Sequence, residues 1–368
     1  MFDIVIIGAG IVGLAIARSI AEKTHKSVLV IEKEESFGRG ISSRNSEVIH
    51  SGIYYEPESL KATYCTRGRD MTYKFCEQYN IWVNQCGKIV VGKLHQTEDL
   101  EALHKNAQKN GVPDIRLLER KEINSLEPNI EADIGLQVGC TGIVSAHDLM
   151  AAFYKISQEG DHDYLFKSKV VGADSKSDGY EISIENAQGE LEKVLAGWVI
   201  NAAGLESDMV AQMLGGDYPT LRYSKGCYYK LSSKWRGAFK HLVYPLPDKK
   251  NGSLGIHLSY DESQMVKLGP SAHWVQNGIE NYDVEENLLD QFFTEGHRYI
   301  PGLEKEDLSP DYAGIRPKIW LNENPISDFY ISHEADKGYP GWVNLIGIES
   351  PGLTSAIAIG EDVASWII

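Results

Sequence analysis

The chain has 368 residues, which is enough for two domains, and its 42% hydrophobic and 24% charged residues are ordinary for a globular protein. A formal net charge of −16 argues against nucleic acid as a partner, because phosphate binding requires a positive surface. No apolar run reaches the roughly 18 to 20 residues of a membrane span. The chain opens in a core strand without a basic leader, so we expect neither a signal peptide nor a transit peptide.

The cysteines are odd in number and lack CxxC spacing, so the sequence predicts neither a disulfide framework nor a metal site. The five are Cys65, Cys76, Cys86, Cys140 and Cys227. A reducing, cytoplasmic location fits this composition best. A peripheral contact with the inner face of a membrane stays open, because it would leave no trace in the composition.

The N-terminal stretch combines two apolar runs with a glycine-rich turn. The run at 2–7 enters GAGIVG at 8–13, and an apolar segment with helical character follows. A second apolar run, at 27–31, ends in an acid 24 residues after the first glycine. This register of strand, glycines, helix, strand and acid is the dinucleotide-binding fingerprint of a Rossmann-like fold.

Each part of this motif has a physical task. Gly8 allows a tight turn, Gly10 lets the backbone approach a pyrophosphate, and Gly13 lets the helix pack closely on the strand. N–H groups at the helix start face the phosphates, and Glu32 accepts hydrogen bonds from a ribose, which disfavours NADP. An ordinary glycine-rich turn, the alternative, leaves the acid without a role. The predicted dinucleotide contacts here are Gly8, Gly10, Ile11, Val12, Gly13, Glu32 and Lys33.

A small, polar loop follows at 38–46, and then the run EVIHSGIYY at 47–55. Loops of this composition wrap polar ligands with hydroxyls and backbone N–H groups. The motifs SSRNS and IHSG resemble the second flavin-contacting segment of the D-amino-acid-oxidase-type FAD oxidoreductases. The whole run SSRNSEVIHSGIYY is similar to the L-2-hydroxyglutarate dehydrogenase branch of that superfamily; a solvated serine-rich loop is the alternative. The resemblance implies FAD contacts from Ser42, Ser43, Arg44, Asn45, Ser46, His50 and Ser51.

Helical and strand patterns then alternate. Apolar spacing predicts helices over 57–79, 97–111 and 145–156, a strand at 89–91 and a helix-and-turn unit at 116–128. Strands are predicted at 165–174, 180–185 and 191–195, and a buried strand at 198–204 ends in small residues. The resemblance implies that this part of the chain returns to the dinucleotide through Val170, Ala202, Ala203 and Gly204.

Between residues 217 and 315 aromatic residues and strand-like runs dominate. The runs at 224–231, 242–245, 255–260 and 266–270 predict an antiparallel sheet, and 284–299 predicts a helix. We therefore predict an α/β protein of the α+β two-domain type, with a Rossmann-like FAD-binding domain interleaved with an antiparallel-sheet substrate domain. The predicted FAD-binding domain comprises residues 1–80, 143–216 and 316–368, and the substrate-binding domain residues 81–142 and 217–315.

Three more segments resemble the hydroxyglutarate branch. The first contains His257 and resembles a segment that lines the active site, although a structural histidine is the alternative. The second, YAGIRP at 312–317, resembles an element whose arginine, here Arg316, reaches over the flavin to a substrate carboxylate, for which a planar guanidinium is suited. A surface salt bridge is the alternative for Arg316. The third, GIESPGLTS at 347–355 before an apolar helix at 356–368, resembles the turn at the flavin pyrimidine edge. The implied FAD contacts are Arg316, Gly352, Leu353 and Thr354.

The resemblance implies non-covalent FAD and the oxidation of an L-2-hydroxy acid, most closely L-2-hydroxyglutarate to 2-oxoglutarate, by hydride transfer from Cα to flavin N5. His257 or His50 removes the hydroxyl proton, since histidine titrates near working pH. The carboxylate binds Arg316, assisted by Lys225 and by a hydroxyl from Tyr54 or Tyr55. A distal carboxylate needs a second cation, for which four candidates stay open: Lys225, Arg222, Lys61 and Lys318.

Other activities are compatible with the same motifs. An amine or amino-acid oxidase, or a glycerol-3-phosphate dehydrogenase of the same superfamily, is the alternative function. An NAD-dependent dehydrogenase would leave SSRNS and GIESPGLT unused, and a non-enzymatic flavoprotein would leave the arginine and histidines without a task. The electron acceptor stays open among oxygen, a quinone and an electron-transfer protein.

Overall fold

The computed structural model describes residues 1–246, 255–275 and 281–368. In these ranges no helix is both long and apolar enough to cross a membrane. The α-helices formed there are α1 (Ile11–Lys23), α2 (Leu60–Tyr79), α3 (Thr97–Lys109), α4 (Arg120–Leu126), α5 (Ala146–Glu159), α6 (Ser207–Gln212), α7 (Leu289–His297) and α8 (Gly352–Ile367).

The strands in the same ranges form three sheets. In chain order they are β1 (Phe2–Ile7), β2 (Val28–Ile31), β3 (Val48–Ile49), β4 (Val83–Asn84), β5 (Lys88–Gly92), β6 (Ile115–Glu119), β7 (Ile134–Val138), β8 (Gly142–Val144), β9 (Asp163–Leu165), β10 (Lys169–Lys176), β11 (Gly179–Glu185), β12 (Leu191–Asn201), β13 (Thr220–Leu231), β14 (Leu242–Pro245), β15 (His257–Tyr260), β16 (Val266–Gly269), β17 (His273–Trp274), β18 (Leu308–Leu321), β19 (Asn324–Ile326), β20 (Tyr330–His333) and β21 (Trp342–Ile346).

The first sheet has a parallel centre in which β9, β2, β1, β12 and β21 are neighbours in that order. β20 and the hairpin β10–β11 add to it in antiparallel fashion. β1 is buried from Ile4 to Ile6, as expected for a strand covered on both faces. The carboxyl ends of β1, β2 and β12 meet at one edge, where open α/β sheets bind ligands.

Helices α1, α2, α5 and α8 form an apolar layer against this sheet. Two glycines set how closely the helices approach. A Cβ on Gly360 of α8 would lie 2.6 Å from the carbonyl oxygen of Ala15, and one on Gly68 of α2 would lie 2.2 Å from that of Thr354. Side chains at these positions would separate the helices, so α8 is packed through backbone contacts.

The second sheet has ten strands in the order β19-β18-β13-β16-β15-β14-β5-β7-β6, with β17 beside β13. Adjacent strands of this sheet pair in antiparallel fashion, except β5 and β14, which pair in parallel. One face covers a core that includes Tyr229, Leu268 and Phe292. The third sheet is small, β3-β8-β4, and its first strand follows the polar loop at 38–46. The mixed α/β class predicted from the sequence is confirmed.

In three parts of the chain the predicted elements differ from the observed ones. Residues 116–128 form β6 and then α4 rather than one helical unit, because β6 pairs with β7. The strands predicted at 191–195 and 198–204 are one strand, β12, since the small Ala196 keeps pairing with both Phe2 and Tyr180. The strand predicted at 165–174 is divided, because Lys167 at φ 54° turns the chain between β9 and β10. β18 runs unbroken across the boundary predicted between 315 and 316, and the two-domain division stays a prediction.

We expect Gly13→Ala to destabilise the protein and to abolish FAD binding. Alanine normally favours a helix over glycine, but a Cβ on Gly13 would lie 2.0 Å from the carbonyl oxygen of Gly8, so α1 must move away from β1. We expect a loss of about 3 kcal/mol or more in the free energy of unfolding. Denaturant unfolding and the flavin-to-protein absorbance ratio measure both effects. Gly172→Ala is the control, because its Cβ would meet its nearest neighbour at 3.5 Å; equal behaviour of the two variants would contradict the prediction.

Candidate active site

A cavity of about 1300 Å³ extends from the carboxyl ends of β1 and β2 to the ten-stranded sheet. It exceeds the roughly 300–1000 Å³ of a pocket for a drug-sized ligand, so it suits a long ligand such as a dinucleotide. Most of the FAD contacts predicted from the sequence line it. They are Gly8, Gly10, Ile11, Val12, Glu32, Lys33, Ser42, Arg44, Asn45, Ser46, His50, Val170, Ala202, Ala203, Gly204, Arg316, Gly352 and Leu353.

One end of the cavity is shaped by backbone packing. Gly8 has φ 103°, and a Cβ there would lie 2.5 Å from the carbonyl oxygen of Ala202. Gly10 precedes α1 and supplies no side-chain cap to it, so the helix start faces the cavity with backbone N–H groups. The Ile11 N–H donates to Ser42 Oγ at 2.9 Å. This open helix start fits a pyrophosphate, which would accept hydrogen bonds from such N–H groups.

Glu32 follows β2 and is held by two backbone groups. Its Oε2 accepts a hydrogen bond from the Ala9 N–H at 2.7 Å, and its Oε1 accepts one from the Glu34 N–H at 2.9 Å. Burial raises the pKa of this carboxyl group, although the two hydrogen bonds oppose the shift. The carboxylate is thus fixed at the cavity wall, where it can receive the hydroxyls of an adenosine ribose.

The polar loop is held by its own side chains and by β18 of the ten-stranded sheet. Within it, the Asn45 side chain donates to the Ser42 carbonyl at 2.7 Å, and the Tyr312 hydroxyl donates to the Asn45 carbonyl at 2.7 Å. Gly314 lies so close that its Cβ would be 2.2 Å from the Arg44 carbonyl oxygen. The loop is therefore a rigid wall between the dinucleotide end and the ten-stranded sheet.

Four predicted FAD contacts do not line the cavity but support its wall. Gly13 packs α1 on β1, and Ser43 is exposed. Thr354 Oγ1 accepts the His50 N–H at 3.0 Å and donates to the Val48 carbonyl at 3.2 Å, which ties β3 to the start of α8. Ser51 is fully buried beneath them.

The far end of the cavity brings the two candidate bases together. His257 and Tyr244 are cross-strand neighbours on β15 and β14, and their rings stack with centroids 3.8 Å apart. His50 lies on the same wall, with its Nε2 3.1 Å from Ser350 Oγ. Burial, together with the nearby charges of Lys88 and His257, lowers the pKa of His50 to about 3. His50 is consequently a neutral imidazole near pH 7.

Arg316 is a cation without an anionic partner in the described ranges. It lies on β18 opposite Ser224 and lines the cavity. Its Nη2 donates to the Ser271 carbonyl at 2.8 Å, and its Nε is buried without a hydrogen-bond partner. Arg316 is half-buried and is held by neutral groups, which leaves its charge and one edge of the guanidinium available, so the site is suited to a carboxylate.

Two predicted catalytic residues are not brought to the cavity. Successive side chains of β13 point to opposite faces, and Ser224 and Gly226 face the cavity. Lys225 therefore points away, and it donates to Asn281 Oδ1 at 3.2 Å. Tyr54 lies behind the wall, with its ring centroid 4.8 Å from Lys88 Nζ.

Sequence reasoning missed two charged groups next to the site. Glu349 is buried between Lys61 Nζ at 3.0 Å and Lys318 Nζ at 2.8 Å, and although burial acts to raise its pKa, these two lysines hold the pKa below its usual value. Its place in the GIESPGLT motif was the available signal.

Lys88 is the second missed group. It opens the apolar strand β5 and is fully buried, and its Nζ has no hydrogen-bond partner in the described ranges. It lies between the rings of Tyr54 and Tyr244, at 4.8 Å and 4.7 Å from their centroids. Burial lowers its pKa to about 8.

Comparison with known proteins agrees with this geometry. The model of the DAO family, described as FAD dependent oxidoreductase, matches residues 3–366. Mitochondrial L-2-hydroxyglutarate dehydrogenases of Bos taurus and Arabidopsis thaliana are 37% and 34% identical to the chain, covering 100% and 99% of it and 88% and 83% of their own lengths. The L-2-hydroxyglutarate dehydrogenase of Escherichia coli K12 is 29% identical and covers 100% of the chain and 93% of its own length.

Solved structures show the same fold at lower identity. Dithionite-reduced L-α-glycerophosphate oxidase from Mycoplasma pneumoniae with FAD bound superposes with a TM-score of 0.88 at 22% identity, covering 100% of this chain and 94% of its own. Glycine oxidase from Geobacillus kaustophilus superposes with a TM-score of 0.82 at 18% identity, with the same coverage. The likeness extends over both large sheets, so the fold is shared as a whole.

We expect Lys88→Met to stabilise the protein at pH 7. Between about pH 8 and pH 10.5 the unfolded chain holds the lysine proton and the folded chain does not, so stability increases as pH rises through this window. Below pH 8 the full cost of burying the charge is present, on the order of 3 kcal/mol. Methionine has similar volume and packs well between aromatic rings.

The difference in thermal midpoint between Lys88→Met and the wild type measures this effect at pH 7 and pH 9.5. The advantage of the variant should shrink at the higher pH. Lys74→Met, at an exposed position of α2, is the control and should change stability by less than about 0.5 kcal/mol. A lower midpoint for Lys88→Met at pH 7 would contradict the prediction.

Proposed function

This chain belongs to the DAO family of FAD-dependent oxidoreductases, and we propose that it oxidises L-2-hydroxyglutarate to 2-oxoglutarate. The observation that carries the proposal is the uncompensated guanidinium of Arg316 in a cavity that also contains two histidines. The relatives named L-2-hydroxyglutarate dehydrogenase, which match the chain over its full length, support the choice of substrate.

The cavity residues fit FAD without a covalent bond. The N–H groups at the start of α1 would hold the pyrophosphate, and Glu32 the adenosine ribose. Ser42, Asn45 and the start of α8 at Gly352 would hold the flavin end. When bound, FAD supplies the two-electron acceptor.

Arg316 would bind the carboxylate next to the reacting carbon. Its position is set by the Ser271 carbonyl and by the pairing of β18 with β13, so the guanidinium does not need to be ordered when the substrate arrives. Two parallel hydrogen bonds to one carboxylate would fix the substrate's orientation relative to His50 and His257.

His50 is our candidate for the base that takes the hydroxyl proton. It is a neutral imidazole, so a ring nitrogen can accept a proton, and Ser350 orients the ring. The carboxylates of a bound substrate would raise the pKa of His50, because a negative neighbour favours the imidazolium. Binding would thus increase the basicity of His50 when it is needed. His257, stacked on Tyr244, would position the hydroxyl beside it.

The electron acceptor and the compartment stay predictions. Oxygen, a quinone or an electron-transfer protein is compatible with the chain. A cytoplasmic location stays our expectation, and a peripheral membrane contact stays open.

We expect L-2-hydroxyglutarate, added anaerobically to the purified protein, to bleach the absorbance bands of the oxidised flavin. L-lactate, glycerol 3-phosphate, sarcosine and a set of amino acids, tested in the same way, should bleach them far more slowly. Bleaching by an amine or by glycerol 3-phosphate alone would replace the proposed substrate with one of the superfamily's other activities. Absence of flavin bands after reconstitution with FAD would contradict cofactor binding.

We expect His50→Asn to lower kcat by about 10²- to 10⁴-fold, which is the contribution of a positioned general base. Asparagine keeps a hydrogen-bonding side chain near Ser350 but cannot accept the proton. Stopped-flow reduction of the flavin measures the rate. His257→Asn should have a smaller effect, and His95→Asn, at an exposed position, should have none. A larger loss in His257→Asn than in His50→Asn would assign the base to His257.

A further inference from the structure

L-2-hydroxyglutarate carries a second carboxylate, and the described residues leave few cations to bind it. Lys225 points away from the cavity toward Asn281. Arg222 pairs with Glu323 at 2.6 Å and lies over the ring of Trp320, on the outer side of β13. Neither side chain lines the cavity.

The two lysines near the start of α8 share one carboxylate. Lys61 and Lys318 both bind Glu349, at 3.0 Å and 2.8 Å, and only Lys318 lines the cavity. Breaking a buried ion pair to bind a substrate would cost more than using a free cation. All four candidates for the second cation are thus engaged with other groups or directed elsewhere.

Arg44 is a cavity-lining cation without such a partner. Its Nε is buried and has no hydrogen-bond partner, and no carboxylate forms an ion pair with it, among residues 1–246, 255–275 and 281–368. Its guanidinium lies 3.9 Å from the ring centroid of Tyr282. Stacking orients the guanidinium plane and leaves its edge, which carries the N–H donors, unobstructed by the ring.

Arg44 and Arg316 flank the same point of the second sheet. Gly226 of β13 and Gly314 of β18 are cross-strand partners. A Cβ on Gly226 would lie 3.4 Å from Arg316 Nη2, and a Cβ on Gly314 would lie 3.6 Å from Arg44 Cβ. Paired residues of an antiparallel ladder are about 5 Å apart, so the guanidinium end of Arg316 and the Cβ of Arg44 lie beside the same pair of glycines. Both have a buried Nε without a hydrogen-bond partner in the described part of the chain.

We propose that Arg44 binds the second carboxylate of the substrate, so that Arg44 and Arg316 together select a dicarboxylic 2-hydroxy acid over a monocarboxylic one. The inference rests on the proposed function and adds a residue that determines specificity. The sequence had placed Arg44 among the FAD contacts. Two guanidinium groups, each able to form two hydrogen bonds to a carboxylate, match a dianion in both charge and geometry. Removing the distal carboxylate from the substrate would leave Arg44 unpaired.

The test compares two substrates in one variant. Arg44→Met should lower kcat/KM for L-2-hydroxyglutarate by about 100-fold, mainly through KM, since truncating one partner of a buried charged pair is costly. For L-2-hydroxybutyrate, which lacks the distal carboxylate, kcat/KM should change by less than about threefold, because no contact is lost. Arg44→Lys keeps the charge but loses the planar fork, and it should show an intermediate loss with the dicarboxylate only.

Arg236→Met is the matched control, because Arg236 is an exposed arginine that does not line the cavity. It should leave the ratio of the two kcat/KM values unchanged, and the flavin content of every variant should match the wild type. An equal fall with both substrates, or a loss of flavin in both Arg44 variants, would assign Arg44 to FAD or to the fold and overturn the proposal. An unchanged ratio in Arg44→Met would overturn it as well.

Binding of glutarate tests the same site without turnover. Glutarate has both carboxylates but no hydroxyl, and its dissociation constant can be measured from the perturbation of the flavin spectrum. We expect Arg44→Met to weaken the binding of glutarate and to leave the binding of butyrate, which has one carboxylate, unchanged. If no 2-hydroxy acid reduces the wild-type flavin, the proposed function fails, while the glutarate measurement still decides whether Arg44 binds a second carboxylate.

Discussion

Close backbone packing where β1 meets α1 and β12 is the constraint on which the cavity depends. A Cβ on Gly13 would lie 2.0 Å from the carbonyl oxygen of Gly8, and a Cβ on Gly8 would lie 2.5 Å from the carbonyl oxygen of Ala202. Only hydrogen atoms fit there, so the start of α1 is held at the edge of the parallel sheet. Ser42 and Glu32 can then reach the turn and accept hydrogen bonds from its backbone N–H groups. The dinucleotide end of the site follows from these contacts.

The opposite end of the cavity is organised by charge. Within the described ranges Arg316, Arg44 and Lys88 have no carboxylate partner, whereas Glu349 is shared by two lysines. A chain with a net charge of −16 thus collects uncompensated positive charge at one internal place. Such a place attracts an anionic substrate. Burial lowers the pKa of the neighbouring His50, and the charge of Lys88 adds to this effect, so the protonation state of the candidate base depends in part on the same positive charge.

The residues that the sequence predicted for the dinucleotide end lie together at one end of the cavity, because they are contiguous in the chain. Gly8 and Glu32 belong to one strand–helix–strand unit, and their spacing alone indicates where they lie. Lys225 shows where such reasoning stops, because one step along β13 decides whether a side chain faces the cavity or the opposite side. Lys88 shows a second limit. A lysine at the start of an apolar strand usually reaches solvent, and only the packing of Tyr54 and Tyr244 over it shows that it does not.

By itself the sequence determined the α/β class, the dinucleotide-binding fingerprint and the order of the motifs, because these depend on short-range patterns of glycine, apolar and acidic residues. The FAD cofactor was implied by the resemblance to a known family. Only the tertiary structure decided which charges are paired. Lys61 and Glu349 are 288 residues apart in the chain, and Arg44 meets the strand that carries Arg316 only because its carbonyl packs against Gly314. A charge is compensated or left free by groups that the fold brings within a few ångströms, and no local pattern records that distance.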